Sequence, residues 1–188
     1  APEPPAPNRG WVGSAVGLTA VLGQPQLLSV YKDPNGAFVG WGYPSVIRDA
    51  GASAYQMMYQ GGVKGAPVGT LFSAVSTDGI TWRPVDNRQQ HTPGHALPPN
   101  AVELPAPFAG NEIASVYDDG GGGDTLASQR FKMFVGGNPM ILASSNLTSG
   151  WAASGHKAQT EGTDPPMTAF RNQRTREVAL ITRLAPGH

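Results

Sequence analysis

The stretch that decides the fold is Tyr43-Pro44-Ser45-Val46-Ile47-Arg48-Asp49, a turn at Ala50-Gly51-Ala52-Ser53, and then Ala54-Tyr55-Gln56-Met57-Met58-Tyr59-Gln60-Gly61. A β-branched run, a Gly/Ser turn and an aromatic- and Met-rich run read as two antiparallel strands. A third strand follows at Gly69-Thr70-Leu71-Phe72-Ser73-Ala74-Val75, closed by the turn Ser76-Thr77-Asp78-Gly79-Ile80-Thr81-Trp82. The pattern then returns. Ile113-Ala114-Ser115-Val116-Tyr117-Asp118-Asp119 leads through glycines to Arg130-Phe131-Lys132-Met133-Phe134-Val135, then to Met140-Ile141-Leu142-Ala143-Ser144 and a turn ending at Trp151. A third copy opens at Thr163-Asp164-Pro165-Pro166-Met167-Thr168-Ala169-Phe170 and returns over Arg176 to Arg183.

Internal repetition of small sheets predicts a stacked architecture, because such a sheet buries its two faces only against neighbours. Radial stacking gives a propeller, with each closing Trp filling the wedge between adjacent blades and its N–H reaching a carbonyl. The expected fold is therefore all-β, part of a β-propeller. A Pro/Gly-rich segment covers 1–26 and the partial propeller 27–188, with units at 27–85, 111–152 and 163–188. The competing topology is a β-sandwich. A closed ring needs about four to eight blades, so another chain or the remainder of a precursor is expected to complete it.

Bulk composition narrows the function. Formal net charge is zero, with 13 Lys+Arg against 13 Asp+Glu, so the cationic surface that displaces counterions from nucleic acid is missing. No segment is apolar for the about twenty residues that span a membrane. Cysteine is absent, which excludes disulfides, thiolate metal sites and Cys nucleophiles. The Pro-rich start Ala1-Pro2-Glu3-Pro4-Pro5 resembles a terminus left by signal-peptide removal, so a secreted or periplasmic location is expected.

The blade segments resemble the five-bladed propellers of glycoside hydrolase families 32, 43, 68 and 130. Those blades open on Asp-Pro-Ser-Val-like strands, continue with Tyr-x-Met-x-Tyr-x-Gly and close on Ser-x-Asp-Gly-x-x-Trp. The matching positions are Pro44 to Ile47, Tyr55 to Gly61 and Ser76 to Trp82. The resemblance implies a five-bladed ring and a central funnel in which carboxylates face each other across a glycosidic bond. In such pairs a separation of about 5 Å gives retention and one of about 6.5–9.5 Å gives inversion.

Carried onto this chain, the position before the opening Pro is Tyr43 in the first copy and Asp164 in the third. The second has Ile113 there, with Glu112 just before it. Asp33-Pro34-Asn35-Gly36 resembles the family 32 nucleophile motif and is also an ordinary β-turn. The candidate catalytic carboxylates are thus Asp164, Glu112 and Asp33. Tyr43, Trp41 and Tyr59 are candidate sugar platforms, with core packing as the alternative for each. Arg48 is a candidate for gripping sugar hydroxyls through its guanidinium fork, as are Arg130 and Arg171.

Asp49, Asp118 and Asp119 read as turn formers, and Asp78 as an acceptor for the backbone of its own turn. His91 and His95 are four apart, but Pro93 and Gly94 between them exclude the helix that makes such a pair a metal site; both read as surface residues. Gly120 to Asp124 carries ligands of the kind calcium takes without a recognised loop spacing. No cofactor and no metal are expected. The resulting expectation is a glycoside hydrolase whose partner is a carbohydrate. The alternatives are a non-catalytic glycan- or protein-binding propeller, and a polysaccharide lyase using Tyr43, Tyr59 or His91 as base.

Overall fold

The computed structural model describes residues 44–49, 53–61, 69–106, 108–109, 113–120, 126–135, 140–157, 163–172, 174–175 and 177–184. Within them the chain is all-β, with two short 3-10 turns at Arg88–Gln90 and Ala127–Gln129. No helix among the described residues is long and apolar enough to cross a membrane.

The strands form three antiparallel sheets, each a meander in chain order. The first joins β1 (Ser45–Asp49), β2 (Ala54–Gly61), β3 (Thr70–Ser76) and β4 (Arg83–Pro84), and β5 (Ala101–Val102) shares the outer edge of β3. The second joins β6 (Ile113–Asp118), β7 (Phe131–Val135), β8 (Met140–Ser144) and β9 (Ala152–Lys157). The third is the hairpin of β10 (Thr163–Arg171) and β11 (Val178–Leu184). None of these sheets closes on itself among the described residues.

Period-two alternation decides which residue serves which neighbour. On β2, Met58 joins Ile47 in a core shared with Val116, Met133, Val135, Leu142 and Trp151 of the second sheet. Its neighbours Met57 and Tyr59 point the other way, into a cluster with Phe72, Ala74 and Trp82. On β7, Met133 faces the first sheet, whereas Phe134 faces the hairpin with Tyr117, Ile141, Ala169 and Leu180. The second sheet is therefore buried on both faces. The closing tryptophans follow the same rule: Trp151 fills the layer between the first two sheets and donates its indole N–H to the Leu147 carbonyl at 3.1 Å.

The opening strands lie side by side, β6 against both β1 and β10. The Ser45 hydroxyl accepts the Val116 N–H at 2.9 Å, and the Ser115 hydroxyl accepts the Ala169 N–H at 3.2 Å. In each case a serine satisfies a backbone donor on the open edge of the next sheet, which would otherwise be left exposed or unpaired. A second tie, Asp119 to Arg171, follows Ser115–Ala169 in the same chain order, so β6 and β10 run in the same direction.

These ties also correct the register of the third copy. Thr168 and Ala169, not Pro166 and Met167, are equivalent to Ser115 and Val116, so Pro166 rather than Asp164 takes the position of Tyr43 and Ile113. Between the pairs Asp164↔Arg183 and Met167↔Thr182, three steps along β10 are matched by one along β11. Pro165 and Pro166 thus occupy a bulge, where a missing N–H costs no ladder bond.

The closing turns repeat in detail. Ser76 accepts the Gly79 N–H at 2.9 Å, while Asp78 accepts the N–H groups of Ile80 and Thr81 at 2.8 and 2.7 Å. In the second sheet Ser144 accepts the Asn146 N–H at 3.0 Å, and Asn146 accepts that of Thr148 at 2.9 Å. The N–H groups of Thr81 and Ile80, then the Ser76 hydroxyl, hold the Asp78 carboxyl well below the usual carboxylate range. Asp78 is a turn residue, as its sequence setting implies.

Candidate functional site

Between β4 and β5 the chain makes an excursion that leaves the edge of β3 and returns to it. Its anchor is Asn87, which is 0 % exposed and whose side-chain amide donates to the Ser73 hydroxyl at 2.9 Å and to the Asn100 and Ala101 carbonyls at 3.3 and 3.1 Å. Asn100 in turn donates to the Tyr59 hydroxyl at 3.0 Å. An asparagine suits this place because a buried amide can bridge loop carbonyls that have no ladder partner.

The excursion and the start of β3 enclose a cleft of about 640 Å³, within the size range of small-molecule sites. Leu71, Leu97, Val102 and Leu104 supply apolar walls, and Thr92, His95 and Glu103 supply polar groups. One oxygen of Glu103 accepts the Thr92 N–H at 2.6 Å, and the other meets His95 Nδ1 at 2.5 Å. An ionised carboxylate only accepts, so His95 donates to Glu103 from Nδ1. Burial pushes the Glu103 carboxyl upward, but hydrogen bonds from Thr92 and His95 outweigh it and leave the group below its ordinary value. No Lys or Arg is among the described lining residues. The cleft combines apolar walls with the Glu103 carboxylate and the His95 imidazole, a lining that suits a ligand with both an apolar face and hydroxyl groups.

A depressed carboxylate pKa stabilises the folded clamp above the unfolded value, and that contribution is lost as pH falls through the folded value. The Thr92 amide resonance is therefore expected to shift only as pH falls below the ordinary glutamate range, where Glu103 takes up its proton. Glu103→Gln is expected to abolish that transition and speed Thr92 amide exchange about tenfold, the loss of one charge-assisted hydrogen bond. A Thr92 amide shift that persists unchanged in Glu103→Gln would contradict the clamp.

Of the residues singled out in the sequence, Asp33, Trp41, Tyr43 and Glu112 lie outside the described residues. The backbone of Asp164 stands at the opening end of β10, opposite Arg183 and immediately before the two-proline bulge. Arg48 is exposed on β1, its guanidinium 6.0 Å from the centre of the Tyr55 ring. Tyr59 is 1 % exposed and stacks on Phe72 at 5.7 Å, so its ring has no surface to offer a sugar. His91 is half-buried, with Nε2 at 2.9 Å from the Ala101 carbonyl. Sequence reasoning placed His95 at the surface, where it lies, and did not single out Glu103. The available signal was an acidic residue flanked by prolines and short apolar runs, downstream of two histidines.

A second polar cluster corrects the reading of Asp119 as a turn former. Asp119 is 3 % exposed and takes Arg171 Nε at 2.5 Å and Lys132 Nζ at 3.6 Å. Lys132 also donates to the Gln129 carbonyl. Asp118 pairs with Arg130 at 2.6 Å. Burial alone would raise the Asp118 carboxyl, but hydrogen bonds from Arg130 and the Gly120 N–H bring it below its ordinary value. Arg130 and Arg171 thus serve ion pairs. Burial, and then the Asp119 charge, push the Tyr117 hydroxyl far above the usual phenol range. Tyr117 stays neutral, stacked on Phe134 at 6.0 Å.

No family model matches the chain, and no curated protein matches it.

Proposed function

We propose that the chain forms successive blades of a secreted, five-bladed, carbohydrate-active β-propeller, and that it acts as a glycoside hydrolase with Asp164 as one catalytic carboxylate. The observation that carries this reading is the serine-tied row of opening strands, β1 beside β6 beside β10. Strands arranged in this way bring their opening ends to one mouth, where carboxylates can flank a glycosidic bond. Asp164 stands at such an end, and the prolines after it stiffen the backbone that holds it. Glu112 and Asp33 are the partners proposed for the second carboxyl. Blades beyond these come from another polypeptide or a further part of the same one.

The test is release of reducing sugar from neutral polysaccharides by the protein as isolated from its source, before and after Asp164→Asn. Loss of one carboxylate of such a pair is expected to lower turnover at least a hundredfold, the scale of general acid–base catalysis. Unchanged turnover removes Asp164 from the reaction.

A second reading, non-catalytic glycan binding, draws on the cleft. Its apolar walls and the Glu103–His95 pair suit the face and hydroxyls of a sugar. Binding that survives Asp164→Asn, in a protein without hydrolytic activity, favours this reading over the first.

A further inference from the structure

We infer that the face of the β10–β11 hairpin bearing Thr168, Phe170 and Ile181 is a docking surface for a fourth sheet of the same repeat, carried on a polypeptide segment outside these 188 residues. The inference rests on the propeller reading and gives it a contact surface.

The two interfaces inside the chain follow one plan. In the first, Ser45 and Met58 are cross-strand partners, Ile47 and Met58 are buried against the second sheet, and the Ser45 hydroxyl takes the Val116 N–H. In the second, Ser115 and Phe134 are partners, Phe134 and Tyr117 pack against the hairpin, and the Ser115 hydroxyl takes the Ala169 N–H. The hairpin repeats the arrangement: Thr168 is the partner of Ile181, and Phe170 is two residues beyond Thr168 on the same face. Among the described residues the plan is unfilled here. Phe170 is 47 % exposed, Ile181 is 63 % exposed, and Thr168 is exposed beside them. Among the described residues β11 pairs only with β10, whereas β2 and β7 each pair on both sides.

The chemistry of the occupant follows from the two filled interfaces. It brings an apolar sheet face onto Phe170 and Ile181, and an edge-strand N–H onto the Thr168 hydroxyl. A second copy of this chain is a poor source of that face. The corresponding surface of its own first sheet consists of Met57, Tyr59 and Phe72, which are already buried.

Because the chain has no cysteine, a single introduced thiol reports on one position. Ile181→Cys and the control Ser128→Cys, at an exposed turn residue, are to be treated with a maleimide in two samples. One is the purified 188-residue chain and the other the protein as assembled in its source. Labelling at position 181 is expected to slow at least tenfold in the assembled protein while position 128 is unchanged. A benzophenone placed at 181 is expected to cross-link to a segment outside these 188 residues.

Equal labelling in both samples, or cross-linking to a second copy, overturns the inference. Phe170→Cys reads the same surface if Ile181→Cys does not fold. Amide exchange at Val116 and Ala169 separates the two levels of failure. If those amides are protected while position 181 labels freely, the docking inference alone fails; if they exchange freely, the stacked-sheet reading beneath it fails.

Discussion

Asp119→Ala is expected to destabilise the fold by about 3–5 kcal/mol, the range for removing one partner of a buried ion pair. Asp119 lies just past β6, beneath Arg171 of the hairpin and Lys132 of β7. The side chains of those cations are only 15 % and 11 % exposed. Without the carboxylate, two positive charges remain close together in a poorly solvated layer; Arg171 loses an acceptor and Lys132 a counter-charge. The cost is therefore larger than the worth of the bonds themselves. Arg171→Ala in the Asp119→Ala background is expected to recover part of the loss, since residues in one network do not add independently. Urea unfolding followed by far-ultraviolet circular dichroism measures both. A single-variant loss under about 1 kcal/mol would mean that the pair behaves like a solvated surface bridge.

Trp151→Ala is expected to cost about 3–5 kcal/mol, the usual range for deleting a large buried aromatic. Trp151 is 5 % exposed within the core shared by the first two sheets, and its indole satisfies the Leu147 carbonyl. Truncation opens a void between two sheets that meet largely through side chains, where the backbone has little freedom to collapse. The equivalent Trp82 is only half-buried against its cluster. Trp82→Ala is expected to cost less than half as much, because less area leaves water on folding. Equal losses in the same denaturant assay would show that the two tryptophans do not differ in burial as described.

The repeated sheets were legible because their signals are local and redundant. Ser45-Val46 and Ser115-Val116 mark equivalent strands, Met57 and Met58 split between faces by simple alternation, and Ser76 and Ser144 open matching turns. The register of the third copy was not legible. Pro165-Pro166 imitates the Pro that opens the first strand, whereas the β10–β11 pairing puts both prolines in a bulge and the bond from Ala169 to Ser115 fixes the register. Asp118-Asp119 followed by glycines reads as a turn, because the arginine that buries Asp119 is 52 residues away in sequence.

The cleft was the least visible feature. Its excursion carries Pro93, Pro98 and Pro99 and has no helical or strand period, and long-range bonds made by Asn87 hold it in place. His95 is exposed as its setting implied, but its partner Glu103 comes from the returning β5 segment, which the sequence did not link to it. Pattern reading finds elements that repeat; it misses contacts made once, between segments distant in the chain.

Neighbouring sheets are joined through their opening strands by a serine hydroxyl and an edge N–H. Site-resolved amide hydrogen exchange on Ser115→Ala tests this most directly. Loss of a hydrogen bond worth about 1 kcal/mol is expected to speed exchange at Ala169 several-fold and leave Val116, which is held by Ser45, as it was. Unaltered exchange at Ala169, or equal acceleration at both amides, would contradict the account.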